Sequence, residues 1–276
     1  IFLLNKPLSL SSNQALQRVK NLFDANKAGH TGALDPLATG VLPICLGEAT
    51  KFSQFLLDSD KHYRSTFILG VATETGDCDG DIVTEADASG LTQGQIDRAI
   101  EAFRGEIQQV PSMYSALKYN GQPLYKLARQ GIEVEREARD ITVYQYEIID
   151  FRPGSQAELD VEVHVSKGTY VRSLAEDLGK ALGCGAHVSA LHRHIAGPFT
   201  LRETLTLPEL EKIREGCEQP AGLDHLLKPM DIAVTDRMAV ELNKIVAGYF
   251  QLGQEVMSTQ AFRNGQEGDI VRVFRE

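Results

Sequence analysis

Between Lys27 and Glu48 the only residues able to carry a full charge near neutral pH are His30 and Asp35. They stand in A-G-H-T-G-A-L-D-P-L-A-T-G-V-L-P, residues 28–43, among Gly29, Gly32, Gly40 and the apolar Leu34, Leu37, Val41 and Leu42. Such a segment is apolar enough to be buried and too glycine-rich to be one long helix. A carboxylate enclosed there must be paired, hydrogen-bonded or protonated, because burying it alone costs too much. A matching need lies far downstream. In K-G-T-Y-V-R-S-L-A-E-D-L-G, residues 167–179, apolar residues at helical spacing place Arg172 in a first helical turn, where the helix dipole slightly disfavours a cation. An arginine fork pairs well with a carboxylate. The plainer readings stay open: Asp35 as a helix N-cap with Pro36 at the first helical position and Gly40 ending a short turn, and Arg172 facing solvent.

The string G-H-T-G-A-L-D-P-L-A-T-G-V-L-P resembles the signature of the TruB-type tRNA pseudouridine-55 synthases, and it is long and nearly free of degenerate positions. The resemblance implies that Asp35 is the catalytic nucleophile and that His30 flips and holds the target nucleotide. K-G-T-Y-V-R is similar to the family motif that supplies an arginine holding the aspartate, here Arg172, with Tyr170 as a wall of the uridine pocket. Tyr63, at the start of a strand, corresponds to the tyrosine that stacks on the uracil. A flipped base needs an apolar face in place of its lost neighbours, worth about 1–3 kcal/mol. Leu191 corresponds to a pocket-lining leucine, and Lys6-Pro7 to a short motif supporting the active-site loop.

T-E-T-G-D-C-D-G-D, residues 73–81, mimics the first ligand positions of a calcium loop. Ile82 and Ala88 occupy the places of the required glycine and bidentate glutamate, so no metal is expected. The segment resembles instead the family loop T-D-T-x-D-x-x-G with Glu74 for aspartate. Asp77 is then a loop-ordering or RNA-side residue. His187, His192 and His194 have no acidic or thiol neighbour at ligand spacing and are expected to face RNA or solvent.

A net charge of -10 argues against nucleic-acid binding as a bulk property, so basic residues must cluster locally. Residues 111–140 do so. Lys118, Lys126, Arg129, Arg136 and Arg139 against four acids give +1, interleaved with Tyr114, Tyr119 and Tyr125. That composition suits phosphate contact with stacking, and it resembles the family insertion that folds over the RNA stem-loop. Cys45, Cys78, Cys184 and Cys217 are scattered, which suits a reducing cytoplasm. No apolar run is long enough for a membrane span.

The elements that must position these groups follow from periodicity. Phe2–Leu4 reads as a strand. Ser11 or Ser12 caps a helix with Ala15, Leu16, Val19, Leu22 and Phe23 on one face. Residues 50–57 read as helix and 65–71 as strand. A capping box at Thr92–Gln95 opens a helix that Gly105 ends. Residues 141–151 and 157–166 form a hairpin around Pro153-Gly154-Ser155, 183–194 a further strand, and Thr206 caps another helix. The fold class is mixed α/β (α+β), and the resemblance implies a pseudouridine synthase fold with a central, mostly antiparallel sheet over residues 1–230. From 231 to 276 short β-like pieces, clearest at 265–274, resemble an incomplete PUA module that binds RNA. The chain opens without Met and the PUA-like part stops early, so residues are expected beyond both ends.

By resemblance the activity is isomerisation of uridine-55 to pseudouridine in the tRNA T-loop, after base flipping. The N1–C1′ bond breaks and the ring rejoins through C5, so no cofactor is required. The partner is the tRNA T-stem-loop, with no protein partner needed. A non-catalytic RNA-binding or RNA-folding protein is the alternative from another class. A guide-RNA-dependent synthase is a nearer variant, against which the insertion at 111–140 argues.

Overall fold

The computed structural model describes all 276 residues. Nine strands form the main sheet: β1 (Phe2–Lys6), β2 (Ala28–His30), β3 (Ala38–Leu46), β4 (Lys61–Leu69), β5 (Gly105–Gln109), β6 (Arg139–Arg152), β7 (Ala157–Val165), β8 (Ala186–Ala196) and β9 (Phe199–Thr200). Their order is β1-β3-β8-β4-β7-β6-β5, with β2 added to β3 and β9 to β8. Every pairing is antiparallel except β3 with β8, where Ala38, Thr39 and Gly40 lie beside Leu191, His192 and Arg193. The expected mostly antiparallel sheet is therefore present, with one parallel step at the site.

Alternation decides the two faces. Phe67, Leu69, Val161, Val163 and Val188 point to one side and are fully buried. Against them pack the helices Ser12–Leu22, Gln93–Glu101, Val171–Leu182 and Leu207–Glu215 through Leu16, Val19, Ile96, Ile100, Leu174, Leu178 and Leu210. His62, Arg64, Glu162 and His164 lie on the other, more exposed side. Ser11 and Thr206 cap their helices as expected, each with a reciprocal glutamine or glutamate. Gly183 closes Val171–Leu182 in the left-handed conformation.

Several local expectations give way to tertiary structure. Asp35-Pro36 does not start a helix. Ala38 N–H donates to the Asp35 carbonyl at 3.0 Å, closing a tight turn with Pro36 at its second position, and Ala38 then begins β3. Pairing with β1 and β8 overrides the local capping signal. Gly40 lies inside that strand at φ +106, where a Cβ would come within 2.2 Å of the Arg193 carbonyl oxygen. Gly105 does not cap a helix but opens β5. Residues 231–276 are not all β: β-strands Ala239–Leu242 and Arg272–Arg275 pair in parallel, and two helices, Lys244–Gln251 and Thr259–Asn264, lie between them. Asn243 and Ser258 cap these helices, a signal the composition of the region obscured. Residues 230 and 231 both fall within a 3-10 turn, Met230–Val234, which packs through Ile232 and Ala233 beside Ile1 and Leu3. No helix is long and apolar enough to cross a membrane.

Candidate active site

Asp35 sits on the turn between β2 and β3, and that turn is held from below. Ser12 Oγ donates to the Leu34 carbonyl at 2.9 Å and accepts from Leu34 N–H at 2.7 Å. Ser9 N–H donates to the Pro36 carbonyl at 2.8 Å. Lys6 is wholly buried and is not the solvated lysine a bare dipeptide suggests. Its ammonium donates to the carbonyls of Pro7 at 2.8 Å and Leu10 at 2.6 Å, fixing the segment that clasps the turn. Burial pushes its pKa down to about 8, against the pull of Asp35.

The Lys167–Thr169 turn, with Gly168 at φ +79, delivers the helix Val171–Leu182 to the other side of the same space. Tyr170 is its N-cap. The buried Gln109 at the end of β5 accepts from Tyr170 N–H at 2.8 Å and donates to the Tyr170 carbonyl at 3.1 Å. Arg172 follows in the first turn and is almost fully buried. Its Nε lies 2.9 Å from Asp35 Oδ2. Nη1 donates to the Thr75 carbonyl at 2.6 Å and sits 3.6 Å from Asp77 Oδ2; Nη2 donates to the Tyr114 carbonyl at 3.0 Å. One guanidinium thus joins Asp35, the 74–81 loop and the 111–140 segment.

These groups surround a cavity of about 350 Å³. Asp35, Tyr63, Tyr170, Arg172 and Leu191 all line it, with Val165, Ala116 and Leu117 giving apolar wall and Lys61, Ser115 and Arg193 giving polar wall. Tyr63 is largely buried in β4, with Val163 and Arg193 as strand neighbours. The Asp35 side chain retains 38% of its accessibility, so the carboxylate opens to the cavity while its salt bridge is closed off. Burial raises its pKa above the ordinary carboxylate value; Arg172 and Lys6 oppose that rise and Asp77 adds to it. The arrangement is a carboxylate aimed with one oxygen at an arginine, beside an aromatic ring and an aliphatic wall. It can hold a flat, mostly apolar ring against a nucleophile.

Three expected site residues lie just outside. Asp77 reaches the cavity only through Arg172; its carboxylate also accepts from Thr75 Oγ1 and, at 3.1 Å, from Asp79 N–H, so it orders its own loop. Lys6 acts from beneath. His30 ends β2 with Nδ1 buried and without a partner, and burial together with Arg193 lowers its pKa, leaving a neutral ring. His187 departs from expectation: it is buried, and its Nδ1 lies 2.8 Å from the Val71 carbonyl. His192 Nδ1 meets Thr39 Oγ1 at 2.7 Å across the parallel step.

Lys61, Gln109, Ser115 and Arg193 escaped sequence reasoning. A period-two signal existed for two of them: Lys61 shares a strand face with Tyr63, and Arg193 with Leu191. Gln109 and Ser115 come from distant segments and have no such signal.

Comparison with known proteins finds relatives over nearly the whole chain. Residues 20–171 match the family described as TruB family pseudouridylate synthase (N terminal domain), and residues 172–235 match the tRNA pseudouridylate synthase B C-terminal domain. The chain is 59% identical over 274 residues to a protein of Saccharophagus degradans named tRNA pseudouridine synthase B, covering 99% of this chain and 87% of that one. It is 56% identical over 261 residues to a protein of the same name from Yersinia pestis, covering 93% and 79%. Among solved structures, a Cbf5-Nop10-Gar1 complex aligns with a TM-score of 0.72 at 27% identity, covering 99% of this chain and 74% of that one. An H/ACA RNP bound to a substrate RNA containing 2′-deoxyuridine aligns with a TM-score of 0.71 at 26% identity, with the same coverage. The chain belongs to the TruB family of pseudouridine synthases, isomerases that act on tRNA.

Proposed function

We propose that this enzyme converts uridine-55 in the T-loop of tRNA to pseudouridine, with Asp35 as nucleophile. The observation that carries the reading is the Asp35 carboxylate, 2.9 Å from Arg172 and open to a cavity walled by Tyr63, Tyr170 and Leu191. The uridine leaves its stack, costing a few kcal/mol and least in a loop, which favours a stem-loop over a duplex. Its ring stacks on Tyr63 and packs on Leu191. Asp35 then acts at ribose C1′ or at uracil C6, or helps form a glycal intermediate; the N1–C1′ bond breaks, the ring turns and rejoins through C5, and the proton lost from C5 is matched by one gained at N1. Atoms balance within the substrate, so no group donor is required. Arg172 offsets the desolvation that would otherwise protonate Asp35. His30, neutral and just outside the cavity, fills the space the nucleotide leaves. Residues 111–140 cover the RNA arm, and residues 231–276 act as a PUA-like RNA-binding module.

The relatives at 59% and 56% identity favour a stand-alone enzyme that reads tRNA itself, without guide RNA or protein partner, over the guide-dependent reading. The test is tritium release from T-arm RNA labelled at uracil C5. Intact protein releases tritium and Asp35→Asn binds the RNA with no release. Full turnover by Asp35→Asn overturns the reading and returns the chain to the non-catalytic class.

A further inference from the structure

Arg193 is among the most deeply buried side chains of the molecule, 1% exposed, and it lines the active cavity. Its Nε donates to the Val41 carbonyl at 2.8 Å and its Nη2 to the Gly32 carbonyl at 3.1 Å. Nη1 makes no hydrogen bond and lies at Gly32, 3.6 Å from where a Cβ would stand. No carboxylate pairs with it, in contrast to Arg172, which has Asp35 and Asp77. The nearest cations deepen the imbalance. Lys61, also buried and lining the cavity, gives its ammonium to the carbonyls of Leu56, Leu57 and Ser59 and has no acidic partner. It therefore contributes charge rather than free donors.

An isolated buried charge costs several kcal/mol and is retained where a counter-ion arrives. In a chain of net charge -10, a buried guanidinium that lines the active cavity and pairs with no acid marks an anion position. RNA offers one anion per nucleotide, and a fork with free N–H groups suits a phosphodiester oxygen. We propose that Arg193, reinforced by the charge of Lys61, binds a backbone phosphate adjoining the target uridine and so sets how deeply the flipped nucleotide enters. The inference rests on the reading of this cavity as the uridine site.

The experiment is a binding titration of T-arm stem-loops carrying a neutral methylphosphonate at each single linkage within two nucleotides of the target, against intact protein and Arg193→Met. One linkage is expected to weaken intact protein about tenfold, the size of one charged hydrogen bond. Arg193→Met is expected to bind unmodified RNA about tenfold more weakly and to be indifferent to that linkage, with a salt slope lower by about one. If Arg193→Met fails to fold, Arg193→Lys takes its place and shows a reduced penalty there. A flat scan with intact protein overturns the phosphate contact, as does a penalty unchanged in the variant. If intact protein binds no unmodified stem-loop, the uridine-site reading falls together with this one.

Discussion

Arg172 holds Asp35 with Nε at 2.9 Å while its remaining nitrogens hold the carbonyls of Thr75 and Tyr114. The ion pair and the two loops over it therefore share one side chain. A point charge cannot do this, since a lysine ammonium lacks the planar fork. Arg172→Lys is expected to lower the single-turnover rate by about a hundredfold, on the scale of a broken buried pair, while RNA affinity stays within a few-fold. An equal fall in rate and affinity would assign Arg172 to binding instead.

The pH dependence follows from the same pair. Asp35 acts as an anion and its pKa is raised, so activity is lost as pH falls through a value above the ordinary carboxylate range. The stability sign is opposite. A carboxyl with a raised folded pKa contributes stability below its unfolded value, and that contribution is lost as pH rises through the folded one. Asp35→Asn is therefore expected to melt at or above the temperature of intact protein at pH 8. The difference should close near pH 4 in calorimetric scans.

Lys6 supplies an alkaline boundary. Its pKa, pushed down to about 8 by burial, means that its charge beside Asp35 fades above that pH. Lys6→Met is expected to slow turnover at pH 7 and to flatten the decline of rate between pH 8 and 9. A rate profile identical in shape to that of intact protein would separate Lys6 from Asp35.

Gly40 leaves no room for any side chain. At φ +106, with the Arg193 carbonyl oxygen 2.2 Å from a would-be Cβ, Gly40→Ala must part β3 from β8. A loss of about 3 kcal/mol or more in urea unfolding is expected. Gly29→Ala, where no atom lies within 4 Å, serves as the control and should cost far less.

Much of this was legible in sequence because the groups concerned are locally encoded. Asp35 stood out as a lone acid in apolar surroundings, and Arg172 as a cation in a first helical turn. The pairing of the two spans half of the chain, yet each carried half of the need. What sequence hid was decided by partners at a distance. Asp35-Pro36 has every mark of a helix start, and only the strands on either side of β3 make it a turn. Lys6 and Lys61 look solvated until the backbone carbonyls that receive them are folded around them. Arg193 sits between two histidines in a polar-looking strand, and its burial follows from the face it shares with Leu191. The helices of the last 46 residues start at single caps, Asn243 and Ser258, whose signal the β-like pieces around them mask.

The single parallel step of the sheet has a consequence for how the enzyme is made. Thr39 and His192, which meet across it, are 153 residues apart in the chain. At ordinary synthesis rates of about 5–20 residues per second, the segment bearing the nucleophile waits on the order of ten to thirty seconds for its neighbour to leave the ribosome. The nascent amino-terminal third thus stays without the strand that joins β3 to β4, and catalytic competence arrives only when residues 186–196, about two-thirds of the way along the chain, dock.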